Sequence, residues 1–104
     1  MKKTLISLLA LASFLVFSGC ARVGKDFDLA TVNKIQNGKT TRSEIEQLFG
    51  APFKTGIQNG DPMWTYEYNE YHSLGQDFSK DLIVVFDNRG VVKSHQLMSN
   101  RPIP

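Results

Sequence analysis

Cysteine and tryptophan each occur once in the 104 residues, and histidine twice. A single cysteine permits no intrachain disulfide and no thiolate cage for zinc. His72 and His95 have no His-x-x-x-His spacing, so carboxylates such as Asp77 or Asp81 do not complete a metal-ligand set with them. Neither sign of charge is in excess. Twelve Lys+Arg face ten Asp+Glu, and without Lys2 and Lys3, which fall in a segment read below as removed, ten remain against ten. A neutral domain lacks the broad cationic field that nucleic-acid binding requires. Gly38-Lys39-Thr40 imitates the end of a P-loop, but the position five residues before Gly38 is Asn33 and not glycine, and a helix is expected before it where the motif needs a strand. No nucleotide site is therefore expected. No serine occupies a nucleophile elbow. Glu67 and Glu70 are three apart on an expected strand and so point to opposite sides, which opposes a paired-carboxylate mechanism. These absences leave a small folded domain with no expected cofactor and no expected catalysis.

What is present begins with Lys2 and Lys3, a basic start followed by residues 5–17, apolar except for Ser7 and Ser13. Thirteen residues are too few for the roughly 20 of a spanning helix and suit the core of a signal peptide. Phe17-Ser18-Gly19-Cys20 then resembles a bacterial lipobox. Cleavage is expected between Gly19 and Cys20, with lipidation of Cys20 by acyl chains of the palmitate type. Each buried methylene contributes about 0.8 kcal/mol, and two chains already anchor a protein stably. Ala21 stands where an aspartate would resemble an inner-membrane retention signal, so outer-membrane sorting is expected, with the domain facing the periplasm. The expected layout is a signal peptide over 1–19, a lipidated N-terminus and tether over 20–26, a folded domain over 27–98 and a loose tail over 99–104. The tether reaches about 20 Å at ~3.3–3.6 Å per residue, which keeps the domain close to the membrane.

In the mature part, residues 27–35 carry Leu29, Val32 and Ile35 at helical spacing, with Asp26 or Asp28 as cap and Asn37-Gly38 as stop. Thr41-Arg42-Ser43-Glu44 has the form of a capping box, and Ile45, Leu48 and Phe49 form one apolar stripe before Gly50 and Pro52. The period changes after Gly56. Asn59-Gly60-Asp61-Pro62 is turn chemistry. Residues 63–71 alternate, with Trp64, Tyr66 and Tyr68 on one face, which predicts a strand with a buried aromatic side. Residues 71–80 read as a loop, 82–86 as a continuously apolar strand, Asp87-Asn88-Arg89-Gly90 as a hairpin connection and 91–98 as the last strand. The expected fold is α+β: two short N-terminal helices on one face of a three-stranded antiparallel sheet, α-α-β-β-β, with 82–86 central.

Gly38-Lys39-Thr40-Thr41, Ile45 and Phe49-Gly50-Ala51-Pro52, together with Trp64-Thr65-Tyr66 and the run from Leu82 through Phe86-Asp87-Asn88-Arg89-Gly90-Val91-Val92, resemble the SmpA/OmlA (BamE-like) domain family of bacterial outer-membrane lipoproteins. The likeness covers about residues 27–97 and lies in the joint order and spacing of the pieces. Val23-Gly24-Lys25-Asp26-Phe27-Asp28 lacks the Tyr-Arg-Pro-type stretch and Gln-Gly pair of BamE itself, so no role is carried over there and the chain looks like another branch of the family. The resemblance implies a non-enzymatic lipoprotein that binds an envelope protein at the periplasmic membrane surface, in outer-membrane assembly or envelope maintenance, with the β-barrel assembly machinery as a candidate partner. The alternatives are a periplasmic inhibitor or ligand-binding module, or a structural lipoprotein that contacts peptidoglycan.

The sequence also places a candidate partner surface. Leu82, Val84 and Phe86 point to one face of the central strand, and Ile83 and Val85 to the other. Two short helices cover only one face, expected to be that of Leu82, Val84 and Phe86. Ile83 and Val85, with Tyr71 at a strand end, are then the candidate contact residues.

Overall fold

The computed structural model describes residues 21–103. The expected cleavage point at Gly19 and Cys20, and the signal segment before it, lie outside the described residues. Five strands and two helices follow in the order β1 (Ala21–Val23), α1 (Leu29–Val32), α2 (Arg42–Phe49), β2 (Lys54–Gln58), β3 (Asp61–Tyr71), β4 (Phe78–Phe86) and β5 (Val92–Ser99). The architecture is α+β with an antiparallel sheet, as expected, but the sheet has five strands and not three. β3, β4 and β5 form the expected meander with β4 central. The two additional strands share the remaining edge of β3. β2 pairs with its start, Lys54 opposite Thr65 through Gln58 opposite Asp61. β1 pairs with its end, Ala21 opposite Tyr71 through Val23 opposite Asn69.

Both extra strands have local causes. Asn59 and Gly60 take φ of 51° and 85°, the paired positive values of a two-residue hairpin that turns β2 into β3. β1 holds part of the segment expected as a tether, so residues 21–23 are fastened to the sheet and do not form a free linker. Gly24 follows with φ +86° and its Cα against the Glu67 carbonyl; a Cβ there would lie 2.0 Å from that oxygen. Only glycine lets the chain cross β3 so closely.

The helices begin where the sequence places their caps. The Asp28 carboxylate accepts the Thr31 amide (2.8 Å) and hydroxyl (2.6 Å). These bonds, the hydroxyl one foremost, hold its pKa below the usual carboxylate value. α1 is a single turn, shorter than the expected 27–35, because the amides of Lys34 and Ile35 turn back three residues, to Thr31 and Val32, and close a tighter turn. Val32 and Ile35 are nonetheless both buried. At α2 the Thr41 hydroxyl accepts the Glu44 amide at 3.2 Å, which is the hydroxyl half of the expected capping box, and the Glu44 carboxylate turns back to accept the Thr41 hydroxyl, also at 3.2 Å. Gly50 ends this helix at φ +82°.

The core is one cluster: Val32, Ile35, Ile45 and Phe49 from the helical layer against Tyr66, Leu82, Val84, Phe86 and Val92 from the sheet. Leu82, Val84 and Phe86 are the strand residues that meet the helices, as the alternation predicts. Rings interlock at its centre, with Phe49 5.4 Å from Tyr66 and Trp64 5.0 Å from Phe86 in an edge-on contact. The Tyr66 hydroxyl donates to the Gly50 carbonyl (2.9 Å), tying the end of α2 to β3. Burial, followed by the charge of Glu46, pushes this phenol up to about 12.

Candidate functional site

The helix-free face of the sheet can be read from the ladder, because residues directly opposite share a side. Thr65, Ile83 and Gln96 form one row across β3, β4 and β5, and Met63, Val85 and Ser94 the next. Val85 is only 6% exposed and belongs to the body of the sheet, whereas Ile83 is half-buried. Gln58, Ile83, Val85, Ser94, His95 and Gln96 line a shallow depression of about 300 Å³. Tyr71, opposite Ala21, shares this face but sits six residues along β3 from Thr65, about 20 Å at ~3.3 Å per residue. The three candidate contact residues thus share a face without forming one patch. Between them lies a charged row. Glu67 pairs with Lys54 (3.0 Å) and stands opposite Asp81. Burial, followed by repulsion from Glu67, raises the Asp81 pKa.

The motifs that carry the family likeness meet on the other side. In the β4–β5 connection, the Asp87 carboxylate accepts the amides of Arg89 (2.8 Å) and Val91 (3.1 Å), which hold its pKa low, with the Val91 bond the largest cause. Gly90 turns the chain at φ +78°. The Gly38-Lys39-Thr40-Thr41 segment lies along this turn. Gly38 N–H donates to Val92 O (2.7 Å), Val92 N–H to Thr40 O (2.8 Å) and Arg42 N–H to Gly90 O (2.8 Å). Lys39 and Thr40 donate their amides to Gln36 O, and the Thr40 hydroxyl accepts the Gln36 amide. The amides that a phosphate would need are therefore spent on the fold. The two sequence motifs form one joint, fastening the start of α2 to the last hairpin.

The family described as the outer membrane protein assembly factor BamE domain matches residues 24–96, from the Gly24 crossing to Gln96 in β5. The chain belongs to the BamE domain family. No curated protein matches it.

At the opposite end of this BamE domain is a group that the sequence did not reveal. Lys80 falls within residues expected as loop, yet β4 begins at Phe78 and Lys80 is 5% exposed. Its ammonium is salt-bridged to Asp26, donates to the Phe27 carbonyl and lies 4.7 Å, 5.3 Å and 5.7 Å from the ring centres of Phe27, Tyr68 and Phe78. It fastens the segment between β1 and α1 onto the sheet. The available signal was the alternation Phe78, Lys80, Leu82, Val84, Phe86, which the charge at the second position obscured.

Of the two histidines, His72 Nε2 lies 3.8 Å from the Glu70 carboxylate, and His95 Nδ1 lies 2.7 Å from Asn37 Oδ1. Among the described residues, no three His, Cys, Asp or Glu side chains converge as a metal site, and no helix is long and apolar enough to cross a membrane.

Proposed function

We propose that this BamE domain belongs to an outer-membrane lipoprotein anchored through Cys20 and facing the periplasm. It works by binding an envelope protein in outer-membrane protein assembly, not by catalysis. The observation that carries this reading is the family match over residues 24–96 directly behind a lipobox that ends at the chain's only cysteine. The partner surface is the helix-free face around Ile83, with Val85 supporting it from beneath and Tyr71 at its membrane-proximal end. The barrel-assembly machinery is the leading candidate partner because the family is described as an assembly factor.

Two measurements test the reading. Mass spectrometry of membrane-extracted protein should find an N-terminal peptide beginning at Cys20 and heavier by its acyl chains, and Cys20→Ser should accumulate uncleaved precursor. An unmodified Cys20 overturns the anchor. Photocrosslinking from position 83 in intact membranes should capture barrel-assembly proteins. Capture of one soluble enzyme would support an inhibitor, and sedimentation with cell wall a peptidoglycan-contacting lipoprotein; either overturns the assembly role.

A further inference from the structure

β1 makes the end of the sheet next to the anchor a defined place. Ala21 sits opposite Tyr71, so their Cα atoms are about 4.5–5.5 Å apart. Cys20 precedes Ala21 by one peptide unit of about 3.8 Å. Leu74 follows Tyr71 by three residues, at most about 11 Å of extended chain. Its Cα therefore lies within about 20 Å of the Cys20 Cα. Leu74 is 92% exposed, the most exposed large hydrophobic side chain among the described residues, and Tyr71 and Val23 at the same end are also exposed. Ser73, Gly75 and Gln76 complete a loop tip without a charge. The base of that loop is fixed: His72 N–H donates to the Asp77 carboxylate (2.9 Å), and Asn100 donates its side-chain amide to the Asp77 carbonyl (2.9 Å). Asn100 also accepts the Ser79 amide (3.1 Å).

A single exposed leucine is ordinary on a protein surface. An uncharged tip on a fixed base, with Tyr71 and Val23 behind it and a lipid attachment within about 20 Å, is a more specific arrangement. We propose that the 73–76 loop is a membrane-seating edge, with Leu74 entering the interfacial layer of the leaflet that holds the Cys20 lipid and Tyr71 resting at headgroup level, as tyrosine does at membrane interfaces. The proposal rests on the anchor reading above. Arg22 stands opposite Glu70 in the ladder, and Asp77 and Arg101, the latter over the Phe78 ring, stand at the loop base, so neither sign dominates and the proposed contact is apolar. Seating this end fixes the tilt of the domain and sets β3 rising away from the bilayer, with its start at Asp61 farthest out.

The chain's single cysteine makes the test clean. The full chain carrying Leu74→Cys, acylated in cells and reconstituted into phosphatidylethanolamine–phosphatidylglycerol vesicles, offers one free thiol for an environment-sensitive fluorophore. Ile57→Cys, at the far end of β3's partner strand, is the control. The probe at 74 should be blue-shifted and quenched by lipid-borne nitroxides several-fold more than the probe at 57, with no loss in 1 M salt. A probe at 74 that aqueous iodide quenches as readily as at 57, in protein that stays on the vesicles, overturns the seating and leaves the anchor standing. A blue shift that grows with protein density but resists lipid-borne quenchers marks a second copy covering the tip, and also overturns it. Wild-type chain that takes up the thiol label shows Cys20 unacylated; the anchor then falls, and the seating edge with it.

Discussion

Lys80 and Asp81 are adjacent, face opposite sides of β4, and have opposite consequences for stability. The Lys80 stem packs among Phe27, Tyr68 and Phe78, while its partner Asp26 is largely exposed. Truncation to alanine empties that ring cluster, so Lys80→Ala should cost about 2–5 kcal/mol in urea unfolding. Lys80→Met keeps the stem and removes the charge, and should stay close to wild type, since the carboxylate it leaves behind, Asp26, is largely exposed and keeps its hydration. A methionine variant as unstable as the alanine one would show that the charge, through Asp26 and the Phe27 carbonyl, holds the segment. On the other face, Asp81 stands opposite Glu67 and carries a raised pKa. An acid whose folded pKa is raised binds its proton more tightly when folded. It therefore destabilises the fold above that pKa, and the penalty vanishes as pH falls through the unfolded value near 3.8. Asp81→Asn should raise Tm at pH 7, with the gain shrinking to nothing below about pH 3.8. A gain that persists there would locate its cause outside ionisation.

At the scale of elements, α2 is where sequence and structure agree most closely. Thr41→Ala removes a cap that satisfies the Glu44 amide and should cost about 0.5–2 kcal/mol. Phe49 is buried against Phe27 and Tyr66, and Phe49→Ala should cost about 3–5 kcal/mol. Chemical denaturation checks both, and an unchanged midpoint for Phe49→Ala would contradict the helix–sheet packing. α2 and β3 were legible because each leaves a periodic apolar imprint, the apolar half of β4 because it is a continuous apolar run, and β5 because it follows the Asp87-Asn88-Arg89-Gly90 turn. β1 and β2 were not, because they are held by backbone bonds to one edge of β3 and bury almost no side chain, so nothing in Ala21-Arg22-Val23 or Lys54-Thr55-Gly56-Ile57-Gln58 alternates between apolar and polar. One cue to β2 was present: Asn59-Gly60 is the strongest short hairpin signal, and a hairpin requires a strand on each side of it. β1 offered no cue, being three residues beside an expected cleavage site. For the candidate site, the alternation of β4 gave the correct face for Ile83 and Val85. It could not say that Val85 is buried there, because that depends on Met63 and Ser94 in flanking strands.

At the scale of the whole molecule, β3 runs eleven residues, about 36 Å, from the hairpin at Asn59-Gly60 to Tyr71, which stands opposite Ala21. In the proposed anchored and seated state, what the domain presents is ordered by height above the leaflet: Leu74 and Tyr71 lowest, the Glu67–Asp81 row next, Ile83 above it and Ile57 near the top. In that seating a membrane-embedded partner would meet this face from one side, and Ile83 and Val85 are the apolar part of an otherwise polar depression lined by Gln58, Ser94, His95 and Gln96, with Ile83 the half-buried member that a docked side chain could reach. Val85 is the buried member, so Val85→Asp should unfold the domain through a buried unpaired charge and cannot serve as the interface test. Ile83→Lys separates the roles, because the long stem can lift its charge clear of the sheet. It should leave Tm within a few degrees of wild type and abolish partner crosslinking from a reporter at Gln96, its neighbour across the strand. Ile57→Lys, at the top of the sheet, should leave both unchanged. Loss of the partner with Ile57→Lys but not with Ile83→Lys would move the interface to the distal hairpin, and with it the height above the membrane at which the partner engages.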